Sequence, residues 1–354
     1  SNLLTILSVA TLFLAGASLV LGQESGATSC EICHRDADLF DEAGLVPVTQ
    51  HQGSVHAGVG ISCHDCHGGN PDPALADDMF ASMDEEWSES PYVGVPAPRD
   101  VPGLCGGCHS DPTYMRQFNP DPRVDQETEY WTSGHGIALE AGDVRVATCV
   151  DCHGNHGTLP VDDASSQVYP TNVAETCSGC HSNADLMAGS TTERGQPLPV
   201  NQFALWQQSV HAKAMTEKGD LSAPTCNDCH GNHGAMPPGL TSVAFVCGNC
   251  HGREAELFRN SPKYDLQTAH AEYLADAGEE GCVACHDESS AKATVGVTSF
   301  GECDVCHGHH GIVRPSVAML SPLPETPCAF CHQPPDGLES EVLGGEASAR
   351  RYEE

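Results

Sequence analysis

Apolar residues along this chain form one long uncharged run, a few helical stripes and little else. From Leu3 to Leu21 nineteen residues carry no charge, about the length that crosses a bilayer core. Further on, Phe203, Trp206, Val210 and Ala214 recur at helical spacing and predict a helix over 203–218, with His211 beside the stripe. Leu266, His270, Tyr273, Leu274 and Ala277 do the same over 266–277. No run alternates apolar with polar positions, so little or no β-sheet is expected. The chain between is rich in Gly and Pro, 36 and 24 of them, and residues 70–76, 91–102, 237–239 and 322–327 read as loops. The expected fold class is a mainly irregular chain with short α-helices.

Cysteine spacing supplies the chemistry. Cys-x-x-Cys-His occurs at Cys30, Cys33 and His34; at Cys63, Cys66 and His67; at Cys105, Cys108 and His109; at Cys149, Cys152 and His153; and at Cys177, Cys180 and His181. It recurs at Cys226, Cys229 and His230; at Cys247, Cys250 and His251; at Cys282, Cys285 and His286; at Cys303, Cys306 and His307; and at Cys328, Cys331 and His332. Ten motifs use all 20 cysteines. Two thiols three positions apart lie on one helical turn, where each can form a thioether with a haem vinyl group while the next histidine meets the iron. Zinc sites or redox dithiols would not need a histidine after every pair. The expected cofactors are ten covalently attached c-type haems. Aromatic residues are only 5% of the chain, so the porphyrins themselves are expected to fill the core.

These motifs, spread over 30–332, resemble those of the multihaem c-type cytochromes. The resemblance implies haems stacked along the chain as an electron relay, a haem-packed architecture with little regular secondary structure, and maturation outside the cytoplasmic membrane.

Ten further histidines match the number of sixth ligands that ten bis-histidine haems need: His51, His56, His64, His135, His156, His211, His233, His270, His309 and His310. Seven recur in two contexts. His56, His135, His211 and His270 lie between small residues upstream of a motif, and His156, His233 and His310 lie three residues beyond a proximal histidine or its repeat equivalent. Glycine after the proximal ligand, as in His153-Gly154 and His230-Gly231, lets the chain turn sharply there. His51, His64 and the extra His309 have no repeat counterpart.

The motifs fall into repeats over 129–181, 203–251 and 266–332, with an earlier degenerate copy in which Asn70 stands where the second-context histidine would be. The expected divisions are an anchor or retained signal segment at 1–23, a three-haem part at 24–126, a seven-haem part at 127–338 and a loose tail at 339–354.

The net charge of −34 excludes nucleic acid as a partner. Twelve acidic residues and no Lys or Arg lie over 36–98, with a cluster at Asp84, Glu85, Glu86 and Glu89. That surface reads either as a solvated face or as docking ground for a basic redox protein. Candidate donors are an integral membrane complex or a quinol, and the haem-bearing part is expected on the exported side, periplasmic or extracellular. The leading reading is an electron carrier without substrate chemistry of its own. The alternatives are a multihaem reductase with one open haem, acting on a small nitrogen or sulfur compound, and a subunit of an extracellular haem filament.

Overall fold

The computed structural model describes residues 27–191, 197–237, 243–261, 264, 303, 307, 308 and 310–314. Packing divides the chain between Val95 and Pro96. The first unit holds α1 (Ser29–His34), α2 (Glu42–Gln52), α3 (Val55–Gly58), α4 (Cys63–His67), a 3-10 turn (Pro73–Leu75) and α5 (Met79–Ser82). The second holds α6 (Val101–His109), α7 (Pro112–Met115), α8 (Gln126–Thr132), α9 (Gly134–Glu140), α10 (Cys149–His153), α11 (Val173–His181), α12 (Gln202–Gln208), α13 (Val210–Lys218), α14 (Cys226–His230), α15 (Val243–Gly248) and α16 (Gly252–Arg259). Among the described residues the only extended pairing is an isolated bridge between Thr191 and Pro197. The described residues therefore form short helices without a sheet, as the missing alternation foretold.

The buried side chains are mostly small. Ala174, Ala212, Ala255, Leu139 and Met215 are joined inside by hydroxyls at helix starts, with Ser29, Ser133 and Ser209 fully covered. Buried hydroxyls need partners, and these have them: Ser133 Oγ accepts from the Gly136 amide and Ser209 Oγ from the Ala212 amide.

Those two serines also correct one expectation. The single helix over 203–218 is two, because Ser209 is extended (ψ 162°) and caps α13 instead of continuing α12. Ser133 makes the same break between α8 and α9. At each break the next amide is released from the helix ladder and donates elsewhere: Gly134 N–H to Ala235 O at 3.0 Å, and Val210 N–H to Ile312 O at 2.9 Å. Each repeat thereby grips the segment two residues past the second-context histidine of the repeat that follows. An aromatic side chain of the same helix secures the other side, Tyr130 OH donating to Ala147 O and Trp206 Nε1 to Pro224 O. Those carbonyls lie just before the capping threonines of α10 and α14.

The predicted helix over 266–277 and the run from Leu3 to Leu21 lie outside the described residues. Among the described residues no helix is long and apolar enough to cross a membrane.

Candidate haem-binding centres

In α4, α6, α10, α11 and α14 the motif occupies a helical turn that ends at its histidine, in one of two local designs. In α4, α10 and α14 the turn is opened by Ser62, Thr148 or Thr225, whose amide donates to the carboxylate of Asp65, Asp151 or Asp228 inside the motif. It is closed by Gly68, Gly154 or Gly231 at φ of 68°, 78° and 86°, backbone that glycine adopts without strain. In α6 and α11 the motif forms the end of a longer helix, closed by Ser110 or Ser182 in ordinary helical geometry.

The histidines then meet in twos. His135 faces His181 with ring centroids 6.0 Å apart, His153 faces His233 at 6.2 Å, His211 faces His251 at 6.2 Å, and His230 faces His310 at 6.0 Å. Each pair joins one motif histidine to one of the spare histidines. Metal–imidazole bonds of about 2.0–2.1 Å on either side of one ion set two ring centres about 6 Å apart, so the spacing fits a six-coordinate metal between the rings. Among the described residues no three His, Cys, Asp or Glu side chains converge as a bare ion would require. A donor set of two opposed imidazoles, with a cysteine pair on the same turn, suits an iron porphyrin.

The imidazoles are prepared for that role. His67, His230 and His307 each donate Nδ1–H to a backbone carbonyl, of Gly94 (2.8 Å), Met236 (3.2 Å) and Val313 (3.0 Å). A carbonyl only accepts, so the proton is on Nδ1 and the Nε2 lone pair is left for metal. Burial above all, and then the facing imidazole, holds His135 and His211 below the usual histidine range; His153 and His181 are lowered by burial and by neighbouring imidazoles. Neutral rings are the ones that bind metal.

Cysteines place the motifs beside one another. The Cys105 and Cys149 thiols share a hydrogen bond, as do Cys177 and Cys226. Burial, then Asp151, Cys149 and Cys180 push the Cys152 thiol up, and burial, then Asp228, Cys226 and Cys250 do the same to Cys229. Successive motifs of the second unit thus adjoin alternately through their first and their second cysteines. In the first unit, burial followed by Cys30 and Glu31 pushes Cys63 up to about 11.

Other candidates sit differently. His51 lines a recess with Glu31, Arg35 and Ser62, and His64 is held by Ser62 Oγ (3.0 Å from Nδ1) and the Asp65 carboxylate. Among the described residues neither stacks on another ring. Phe40 stacks on His34 at 4.7 Å. His56 lies on α3 behind its cap Ser54, and His156 lies half-buried in the loop after α10. Asn70, in the place of a missing histidine, takes the Asp72 amide on its side chain and the Ser29 hydroxyl on its carbonyl. Cys282, Cys285, His286, Cys306, Cys328, Cys331, His332, His270 and His309 lie outside the described residues.

A relative, the multihaem cytochrome MtrA of Shewanella baltica (strain OS185), is 24% identical over an alignment of 337 residues, covering 83% of this chain and 81% of its own. The likeness supports a multihaem cytochrome. No protein-family model matches the chain, and no solved structure matches it significantly. A multihaem cytochrome needs its axial imidazoles oriented as well as supplied. The carbonyls of Gly94, Met236 and Val313 that do this carry no signal in the sequence, since every residue has one.

Proposed function

We propose that the chain is an electron-transfer decahaem cytochrome that carries electrons along a row of mostly bis-histidine c-type haems, with no substrate of its own. The four opposed imidazole pairs at 6.0–6.2 Å are the observation that supports this most directly. In this reading His135, His211, His233 and His310 are the sixth ligands at the motifs of His181, His251, His153 and His230. The bound haems supply the redox chemistry, each iron alternating between ferric and ferrous. The protein contributes the ligands, their tautomers and the order of the motifs. From Cys105 to Cys250 successive motifs adjoin in chain order, which favours transfer from each centre to the next.

Electrons are proposed to enter from a membrane donor, either an integral complex or a quinol, and to leave to an extracytoplasmic partner. A basic redox protein would complement the net charge of −34. The test is a pyridine haemochrome count with a low-temperature paramagnetic resonance spectrum of the purified protein. Ten haems per chain, nearly all low-spin, are expected. A chain that holds zinc or disulfides in place of thioether-bound haem would overturn the reading. Carbon monoxide binding to the untreated ferrous protein would favour the reductase instead.

A further inference from the structure

The two second-context histidines with described partners, His233 and His310, occupy the same place in successive repeats, yet their outer surroundings differ in charge. The repeat equivalence is structural: a methyl group added at Gly234, beside His233, would meet Glu129 O at 3.7 Å, and one added at Gly311, beside His310, would meet Leu205 O at 3.6 Å. Glu129 on α8 and Leu205 on α12 therefore hold the same position, a carboxylate in one repeat and an isobutyl group in the next.

At His233 the carboxylate has something to act on. The ring faces His153 through 6.2 Å, while Nδ1 stands 3.9 Å from Glu129 Oε2. That nitrogen is buried and has no hydrogen-bond partner among the described residues. The gap is too long for a hydrogen bond and short enough for a charge interaction, moderated by water because both side chains are about one-third exposed. Glu129 is also paired with Arg123, which in turn binds Asp125. At His233 the Arg123 guanidinium acts with positive sign and is opposed by the carboxylates of Glu129 and Asp125, so removing Glu129 leaves the positive charge less balanced.

We propose that Glu129 is a positioning and tuning residue for the haem of Cys149–His153: acting through His233, it favours the ferric state and lowers that centre's potential, an effect that Leu205 in the same place does not exert on the haem of Cys226–His230. The argument rests on the ligand pairs proposed above. Negative charge beside the outer nitrogen of an axial imidazole keeps the proton there, makes the ligand more electron-donating and stabilises the more positive ferric iron. Removing it raises the potential.

The test is a potentiometric titration of the full haem-loaded chain, followed by optical and paramagnetic resonance spectra. Glu129→Gln and Glu129→Leu should each move one haem to higher potential and leave the low-spin count unchanged. Leu205→Glu should move one haem, a different one, to lower potential. Titrations of both Glu129 variants that superimpose on the parent's would overturn the proposal. So would the appearance of high-spin haem in Glu129→Gln, which would make the residue a mere prop for His233. If the ligand pairing itself is wrong, the failure looks different: His233→Ala would then leave every haem of the chain low-spin.

Discussion

His230 faces His310 across 6.0 Å with ring planes 16° apart, and three residues beyond His230 the same loop supplies His233 to His153. One short segment thus carries its own attachment motif and completes the centre of the repeat before it. Removing His310 should therefore strip one iron of its sixth ligand without disturbing attachment. In His310→Ala one haem equivalent is expected to become high-spin and to bind carbon monoxide when ferrous, with the covalent haem count unchanged. A fully low-spin spectrum would refute the pairing.

Ring orientation separates the pairs into two classes. His153/His233 and His230/His310 are near parallel, at 10° and 16°, whereas His135/His181 and His211/His251 are turned by 50° and 31°. Parallel imidazole planes split the two iron dπ orbitals and turned planes split them less. The frozen ferric protein should show both a rhombic low-spin signal and a more anisotropic one, and His310→Ala should diminish the rhombic signal.

The break at Ser209 is an energetic device as well as a geometric one. Its hydroxyl caps α13 by accepting from the Ala212 amide and is fully buried. Ser209→Ala should cost about 1 kcal/mol, within a range of roughly 0.5–2, read as a lowered denaturant midpoint. Ser133→Ala should behave alike.

Gly68 combines φ of 68° with backbone packed close: an added methyl would collide with the Pro91 carbonyl. The turn it makes also sets His67 against Gly94 O. Gly68→Ala is expected to destabilise the first unit by more than about 1 kcal/mol. Gly53→Ala, whose nearest neighbour would be 3.7 Å away at ordinary φ, should be nearly neutral.

Acid should weaken the assembly in a defined window. His135, His211 and His233 are held below the histidine value of 6.5, each by burial first. In the unfolded chain they protonate near 6.5, so below that pH the unfolded state binds more protons and the folded state loses stability as pH falls. The thermal midpoint should be flat above about pH 7 and should decline from about pH 6.5 to 5.5, before the carboxylates titrate. A midpoint constant across that interval would show that these rings take up no protons on unfolding.

Much of this was legible without coordinates. The scarcity of alternating apolar runs, with Gly and Pro between motifs, predicted short helices and no sheet. Gly154 and Gly231 were readable as turns because a small residue after a ligand has few other uses. The break in the stripe over 203–218 was not readable, since Phe203, Trp206, Val210 and Ala214 keep helical period straight through Ser209. What ends α12 there is the extended backbone of Ser209, which caps α13 and frees the Val210 amide for Ile312 O, far along the chain. Glu129 was equally silent, one acid among 49 acidic residues, until its neighbour His233 and its repeat equivalent Leu205 were both in view.

Attachment chemistry belongs to the sequence alone. Cys-x-x-Cys-His is complete within one helical turn, so position and number of motifs follow from local spacing, and the stock of spare imidazoles follows from counting. Pairing belongs to the tertiary structure. In each described pair the spare imidazole lies on another segment, in two pairs that of the next repeat, and the clasp between a broken helix and a distant loop accompanies the meeting of His233 with His153 and of His310 with His230.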